Sequence, residues 1–270
     1  MSFKRLDPED FVVSSDSITS TLWSTGAPAL TSFYSSSVQE AGSSGDFYLA
    51  VYQTSSTLTN ATPQFEIAYG DKLGSGSSYY NSGVAYKSPS LSIYGQYRSL
   101  ILEDEDANFI FGKGENIATG SDFWVISVDR AQYKESLFPG SLNLHLSGAN
   151  GTITLTDDSK DNPINTFLGT SRVFQLISGS DGSAGSLANS GYVAGSGSYG
   201  LVFPDLGTIM LNPVAISHSI GVNSLKNSNT DDNNNQTLFN SINLGSSFTL
   251  NSEETISSDF IFIRARNSEF

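Results

Sequence analysis

The sequence contains no cysteine, and this absence excludes several chemistries at once. Without thiols the chain forms no disulfide bonds, offers no thiolate nucleophile and lacks the ligands of most structural zinc sites. Because disulfides are the usual cross-links of small secreted domains, their absence favours folding in the cytosol.

Basic residues and long apolar runs are also scarce. The chain has 13 lysines and arginines against 27 aspartates and glutamates, a formal net charge of −14. A field of this sign repels phosphate backbones and anionic membrane surfaces, so we expect no nucleic-acid binding. No run of about 18 apolar residues occurs, so no membrane insertion is expected. The start, MSFKRLDPEDF, lacks the apolar segment of a signal peptide.

Histidine is almost absent, which limits nucleophilic catalysis to two candidate bases. His145 alternates with leucines in an apparent strand, where it belongs to the polar face and is expected at the surface. His218 has Ser217 and Ser219 beside it, but neighbouring residues of a strand point to opposite faces. We therefore expect no catalytic histidine.

The remaining motifs lack the flanking structure that their functions require. Residues 195–200 match the glycine pattern of dinucleotide sites, but a Gly/Ser loop precedes them and a strand follows where a helix is needed. Loop carboxylates occur in Ser/Asn/Gly surroundings typical of solvated turns, and they are Asp104, Asp106, Asp157, Asp158, Asp161, Asp231 and Asp232. The sequence predicts no enzyme, no catalytic residue, no metal site and no cofactor.

What the chain does contain is neutral and β-forming. Hydrophobic residues make up 38%, aromatic residues 11% and charged residues only 15%, with 25 glycines among many serines, threonines and asparagines. This composition favours a mainly β fold with antiparallel, sandwich-like sheets, long Ser/Gly/Asn loops and one or two short helices.

The clearest local patterns lie between residues 121 and 158. The run FWVISV reads as a strand, residues 129–136 offer one or two helical turns, and Asn150-Gly151 joins two alternating strands as a type I′ hairpin turn. A second hairpin is expected around residues 204–207 and a helix at 90–102. Residues 226–236, KNSNTDDNNNQ, are expected to form a mobile loop that buries nothing.

We divide the chain into an extended arm over residues 1–20 and a β-rich domain over 21–270, with two subdomains as an option near 160–170. Residues 259–265 form a strongly patterned strand just before Phe270. A domain rarely ends on such a strand without a partner, so we expect it to pair with another subunit, or the chain to continue past residue 270.

A set of segments spread over most of the chain has a shared character. They are FKRLDPEDFVVSSDSITSTLWS (3–24), SSVQEAGSSGDFYLAVYQ (36–53), FEIAYGDKLGSGS (65–77), YGQYRSLIL (94–102), ISVDRAQYKESLFPGSLNL (126–144), YGLVFPDLGTIMLNP (199–213) and FIFIRARNSEF (260–270). Together they resemble a structural baseplate or tail protein of T-even-like contractile-tailed phages of the cyanophage type. No catalytic motif is part of this resemblance.

The resemblance implies a virion subunit that folds in the host cytoplasm and binds other tail or baseplate proteins and copies of itself. The arm and the larger aromatic residues would then supply interface anchors. These anchors are Phe11, Val12, Trp23, Trp124, Tyr133 and Phe138. Two alternatives remain at this stage: a receptor- or carbohydrate-binding β module of a tail fibre, and a glycan-cleaving tailspike-like hydrolase using two loop carboxylates.

Overall fold

The computed structural model describes residues 11–35, 48–77, 88–162, 166–185, 194–226 and 234–261. The fold is mainly β, with 45% strand and 18% helix, and its strand pairs are antiparallel. This confirms the fold class predicted from composition. The described residues contain three α-helices, one more than expected.

The elements follow in chain order. The helices are α1 (Pro89–Ile101), α2 (Pro213–Ile220) and α3 (Asn234–Gly245). The strands are β1 (Phe11–Thr21), β2 (Ala29–Leu30), β3 (Tyr34–Ser35), β4 (Leu49–Tyr52), β5 (Pro63–Asp71), β6 (Phe109–Lys113), β7 (Asn116–Gly120), β8 (Asp122–Val128), β9 (Ser136–Leu137), β10 (Asn143–Gly148), β11 (Gly151–Asp157), β12 (Thr166–Leu168), β13 (Ser171–Ser180), β14 (Ser183–Ala184), β15 (Gly200–Phe203), β16 (Thr208–Leu211), β17 (Phe248–Thr249) and β18 (Asn251–Ile261).

A 13-stranded sheet forms the body of the protein. Its strand order is β2-β17-β10-β11-β13-β15-β16-β8-β5-β4-β3, with β12 and β14 paired to β13. The two end strands, β2 and β3, are joined by residues 31–33 alone. Leu30 and Tyr34 are therefore four Cα steps apart, which span at most about 14 Å. The sheet must curl until its two ends lie this close together.

The central strands β5 and β8 are buried on both faces. Trp124 and Ile126 face the larger core with Phe65, whereas Phe123 and Val125 face a second core beneath α1. Strands covered on both sides read as continuous apolar runs, which explains the sequence FWVISV.

Helix α1 covers the second core and confirms the helix predicted at 90–102. The Ser88 hydroxyl accepts a hydrogen bond from the Leu91 N–H, and Pro89 occupies the first turn. Both are standard signals of a helix start. Tyr94 stacks on Phe123 with ring centroids 5.3 Å apart, which fixes the helix on the sheet.

Both predicted hairpins are present. β10 and β11 pair from Leu144–Leu155 to Gly148–Gly151, so the turn residues are Ala149-Asn150, one position before the predicted Asn150-Gly151 pair. Neither turn residue has the positive φ of the predicted type I′ turn. β15 and β16 are joined by a 3₁₀ turn over Pro204–Leu206. The helical turns expected at 129–136 shrink to a 3₁₀ turn at Arg130–Gln132.

The prediction of a mobile loop at 226–236 is wrong where the structure describes it. Asn234 and Asn235 begin α3 and are 1% and 5% exposed. The Asn234 amide bonds to backbone groups of Gly76 and Leu225, so a polar residue is buried and hydrogen-bonded where the composition suggested solvent. Residues 227–233 lie outside the described part.

Strand pairing joins the predicted arm to the predicted β-rich domain. β1 within the expected arm pairs with β18, so residues 259–261 of the final patterned strand have their partner in the same chain. Residues 1–10 and 262–270 lie outside the described part. β11 and β13, on either side of the optional division near 160–170, are neighbours in one sheet.

Candidate functional site

The described ends of the chain form a two-stranded ribbon, which we call the β1–β18 ribbon. The two strands pair along their whole length in eleven residue pairs. The ribbon is fixed to the body because β18 also pairs with β9 at Ser252 and Glu253. From residue 256 onward, β18 pairs only with β1 among the described strands. Six residue pairs therefore make a projection of about 20 Å.

The projection carries exposed apolar side chains on both faces. Val12 lies opposite Phe260 on one face, and these side chains are 49% and 53% exposed. Val13 and Ile261 lie on the other face and are 56% and 50% exposed. An isolated two-stranded ribbon is marginal in water, and contiguous exposed apolar surface marks interaction sites. The projection is therefore the best-supported contact surface among the described residues.

Charge on the β1–β18 ribbon has one sign. The two strands contain Asp16, Glu253, Glu254 and Asp259 and no lysine, arginine or histidine. The ribbon thus combines apolar tips with an acidic field.

Three of the six predicted interface residues lie on the ribbon or bond to its base, and a fourth, Tyr133, packs in the core. Phe11 opens β1, and Val12 is exposed beside it. Tyr133 is 7% exposed under the guanidinium of Arg130, and the half-buried Phe138 donates its backbone N–H to Asn251 O at 2.9 Å. Phe138 therefore supports the base of the ribbon, whereas Tyr133 belongs to the larger core.

The other two predicted interface residues are in the core. Trp23 is 2% exposed and Trp124 is 0% exposed. Large rings buried this completely stabilise the folded chain and are not available to a partner of that chain. Sequence alone did not separate exposed from buried aromatic residues.

A pocket of about 330 Å³ lies between the β6–β7 hairpin and β13. Lys113, Asp158, Gln175, Leu176 and Tyr199 are among its lining residues. The site has no signature in the sequence because these residues come from four separate strands and loops, and no local spacing connects them.

Asp158 anchors one wall of this pocket. Its Oδ1 accepts the Gln175 N–H at 2.8 Å, and its Oδ2 accepts from Lys113 Nζ at 2.9 Å and Asn162 Nδ2 at 2.8 Å. Asp157 is equally buried, with the Gly140 N–H 2.9 Å from each carboxylate oxygen. The prediction that these two carboxylates sit in a solvated turn is therefore wrong.

His218 contacts a serine that is distant in sequence and not its neighbours Ser217 or Ser219. His218 lies on α2, and its Nδ1 is 2.7 Å from the Ser196 hydroxyl. Ser196 is only 2% exposed, and no carboxylate of the described residues bonds the His218 ring. A nucleophile needs access to its substrate and an orienting group for its base. The contact therefore has the character of a structural hydrogen bond. His145 is half-buried, with its Nδ1 3.5 Å from the Thr154 hydroxyl.

Two buried carboxyl groups face each other at the ends of β5 and β8. Asp71 is paired with Asp122 in register, and they are 4% and 2% exposed. Asp122 is compensated by Lys226 at 2.6 Å and by the hydroxyls of Tyr69 and Ser224. Burial raises the pKa of Asp71, and the charge of Asp122 adds to this, while backbone N–H donors partly oppose it.

This raised pKa predicts the response to Asp71→Asn. The native state holds the Asp71 proton more tightly than the unfolded chain does, so wild-type stability falls as pH rises through the raised pKa. Asparagine keeps the acceptor that Leu73 and Ser75 use but carries no charge. We expect the variant to be the more stable protein at pH 7 and the advantage to vanish in acid. Urea unfolding across this range measures the difference, and a variant less stable than wild type at pH 7 would contradict the argument.

Within the described residues, no three histidine, aspartate or glutamate side chains converge as a metal site. Over the same ranges, no helix combines the length and the apolar character needed to cross a membrane. Comparisons with protein-family models, with curated proteins and with solved structures give no match for this chain.

Proposed function

We propose that this chain is a structural subunit of a phage tail or baseplate and that the β1–β18 ribbon docks it onto a neighbouring virion protein. The observation that carries the proposal is the 20 Å apolar projection held at one end by the body. Its apolar tips would gain most from burial in a partner, at about 25 cal/mol for each Å² of apolar surface removed from water.

The geometry of the ribbon suits docking by strand addition or by groove insertion. β1 is the outer strand of its three-stranded sheet, so its free edge offers backbone groups to a partner. Eleven residues of β1 contain a single charge, Asp16, and no proline that would guard the edge. Edges that proteins keep separate are usually protected by lysine, proline or bulges.

Charge decides which kind of partner fits. The ribbon carries four acids and no base, and the whole chain has a net charge of −14. A second copy therefore meets like charge, which disfavours pairing between two ribbons. The partner we propose is a different virion protein with an apolar groove bordered by lysine or arginine.

The virion context comes from the resemblance of seven segments to tail and baseplate proteins, and the ribbon gives that context a physical mode of attachment. The non-enzymatic nature of the proposed role agrees with the burial of Ser196 beneath its hydrogen bond to the exposed His218.

The proposal is tested by incorporation into particles. In a phage that encodes this chain, a tagged copy is supplied in trans, and particle-bound protein is quantified after density-gradient purification. The double change Val12→Ser and Phe260→Ser removes the apolar tips without adding charge. We expect it to lower the particle-bound fraction at least about tenfold, equivalent to about 1.4 kcal/mol of docking free energy.

A matched control separates docking from general surface effects. Leu73→Ser changes a side chain that is 78% exposed but lies outside the ribbon, and this variant should enter particles normally. Absence of wild-type chain from particles would refute the virion role. Normal incorporation of the ribbon variant would refute the docking role, and self-association of the isolated chain that depends on Val12 and Phe260 would refute the choice of partner.

A further inference from the structure

We propose that the pocket between the β6–β7 hairpin and β13 binds a compact ligand that combines a carbonyl-type oxygen with a small apolar group, as an N-acetylated sugar does. This proposal is independent of the ribbon and concerns a different face of the fold. It rests on which hydrogen-bonding groups of the pocket remain available.

The acceptor oxygens of Asp158 and Gln175 in the pocket wall are already occupied. The two Asp158 oxygens receive three donors between them, including the ammonium group of Lys113. The Oε1 atom of Gln175 accepts from the Gly112 N–H at 2.9 Å and from the Ser198 hydroxyl at 2.6 Å. Because a backbone N–H can only donate, the Gly112 contact fixes which end of the Gln175 amide carries oxygen.

Donors in the same wall remain available. The ammonium of Lys113 has three N–H groups, and Asp158 uses one of them. The Nε2 group of Gln175 has no hydrogen-bond partner among the described residues, and it is not sealed from solvent. The inner wall therefore offers the Lys113 and Gln175 donors beside occupied acceptors, while the exposed Asn116 amide at the rim can donate or accept. This inner wall favours a ligand whose polar group accepts.

The remaining lining adds the second requirement. Ile177 shares a face of β13 with Gln175, and together with the aliphatic stem of Lys113 it supplies apolar surface next to these donors. Leu176 and Tyr199 are 0% and 4% exposed and belong to the core beneath. A volume of about 330 Å³ is at the lower end of small-molecule sites, close to the size of a single sugar ring with a substituent. An acetamido group places its methyl and its carbonyl oxygen side by side, as this wall requires.

Electrostatics favours a neutral ligand over an anion. The charge of Lys113 is already compensated by Asp158, and the chain as a whole has a net charge of −14. A carboxylate offers the same planar oxygen acceptor but enters an unfavourable field. Carbonyl and carboxylate probes therefore share the acceptor chemistry and differ in charge.

The test follows backbone amides of the full chain by ¹H–¹⁵N NMR during titration with N-acetylglucosamine, glucose or benzoate. We expect N-acetylglucosamine to shift the Gly112 and Gln175 signals saturably, with glucose producing no saturable shift at equal concentration. Benzoate shifts at the same two amides would identify a carboxylate as a second source of the acceptor. Equal shifts from all three compounds, or none from N-acetylglucosamine and benzoate, would overturn the proposal.

Gln175→Glu gives a nearly isosteric check. Glutamate keeps an oxygen for Gly112 and Ser198 but replaces the free donor with an acceptor, so we expect binding at least about tenfold weaker. The control is Gln96→Glu on α1, where Oε1 likewise accepts a bond, from the Tyr48 hydroxyl, and which is not among the residues that line the pocket. If Gln175→Glu binds N-acetylglucosamine as tightly as Gln96→Glu does, the assignment of the donor is wrong.

Discussion

Replacing Asn234 with leucine is expected to lower the free energy of unfolding by about 3–5 kcal/mol. The Asn234 side chain donates to Gly76 O at 2.9 Å and to Leu225 O at 2.8 Å, and it accepts the Leu225 N–H at 2.7 Å. It is 1% exposed, so leucine fills similar space but leaves three backbone groups without partners. Each such loss costs about 1–3 kcal/mol, only partly relieved by water. Urea unfolding followed by circular dichroism measures the change.

The same helix provides the control for this substitution. Asn240→Leu makes the same chemical change at an exposed position of α3, where we expect an effect within about 0.5 kcal/mol. If the two variants lose equal stability, the hydrogen bonds of Asn234 do not hold the segments around Gly76 and Leu225 together.

The role of Asn234 shows where local sequence reasoning stops. The run KNSNTDDNNNQ has the composition of a solvated loop, and composition sums over residues without regard to their partners. Asn234 is nonetheless buried because two segments distant in sequence, at Gly76 and Leu225, bring their backbone groups to it. Only the tertiary structure identifies such a partner.

Elements governed by local chemistry were predictable. Ser88 and Pro89 mark the start of α1, and the Asn150-Gly151 pair indicates the β10–β11 hairpin, although its turn lies one residue earlier, at Ala149-Asn150. In both cases, the information lies within about four residues. The order of strands in the curled sheet depends instead on pairings between distant segments, as in β16 with β8.

The candidate sites depend on such distant pairings even more strongly. The sequence predicted an extended arm with Val12 as a contact residue, but not that β18 would pair with it to form a ribbon. The pocket joins Lys113 to Asp158 and Gln175 across three parts of the chain. Neither the free donors nor the 330 Å³ volume has a local sequence signature.

The two tryptophans allow a direct test of how buried indole groups contribute to stability. Trp124 donates its Nε1–H to Asn234 O at 2.9 Å, whereas the buried Nε1 of Trp23 has no partner among the described residues. Trp→Phe removes a similar volume at each position. At Trp124 it also removes a hydrogen bond, and at Trp23 it removes an unsatisfied polar group that costs about 1–3 kcal/mol.

We therefore expect Trp124→Phe to lower the free energy of unfolding by about 2–4 kcal/mol and Trp23→Phe to lower it by about 1 kcal/mol or less. Each ring serves as the size-matched control for the other, because both are almost fully buried. Thermal and urea unfolding of the two variants give the comparison. Equal losses would mean that packing volume alone sets the contribution of these rings to the free energy of unfolding. A larger loss at Trp23 would mean that its indole N–H has a hydrogen-bond acceptor in the folded protein. The expected order instead makes the bond from Trp124 to the first residue of α3 the link that holds this helix to the central strand β8.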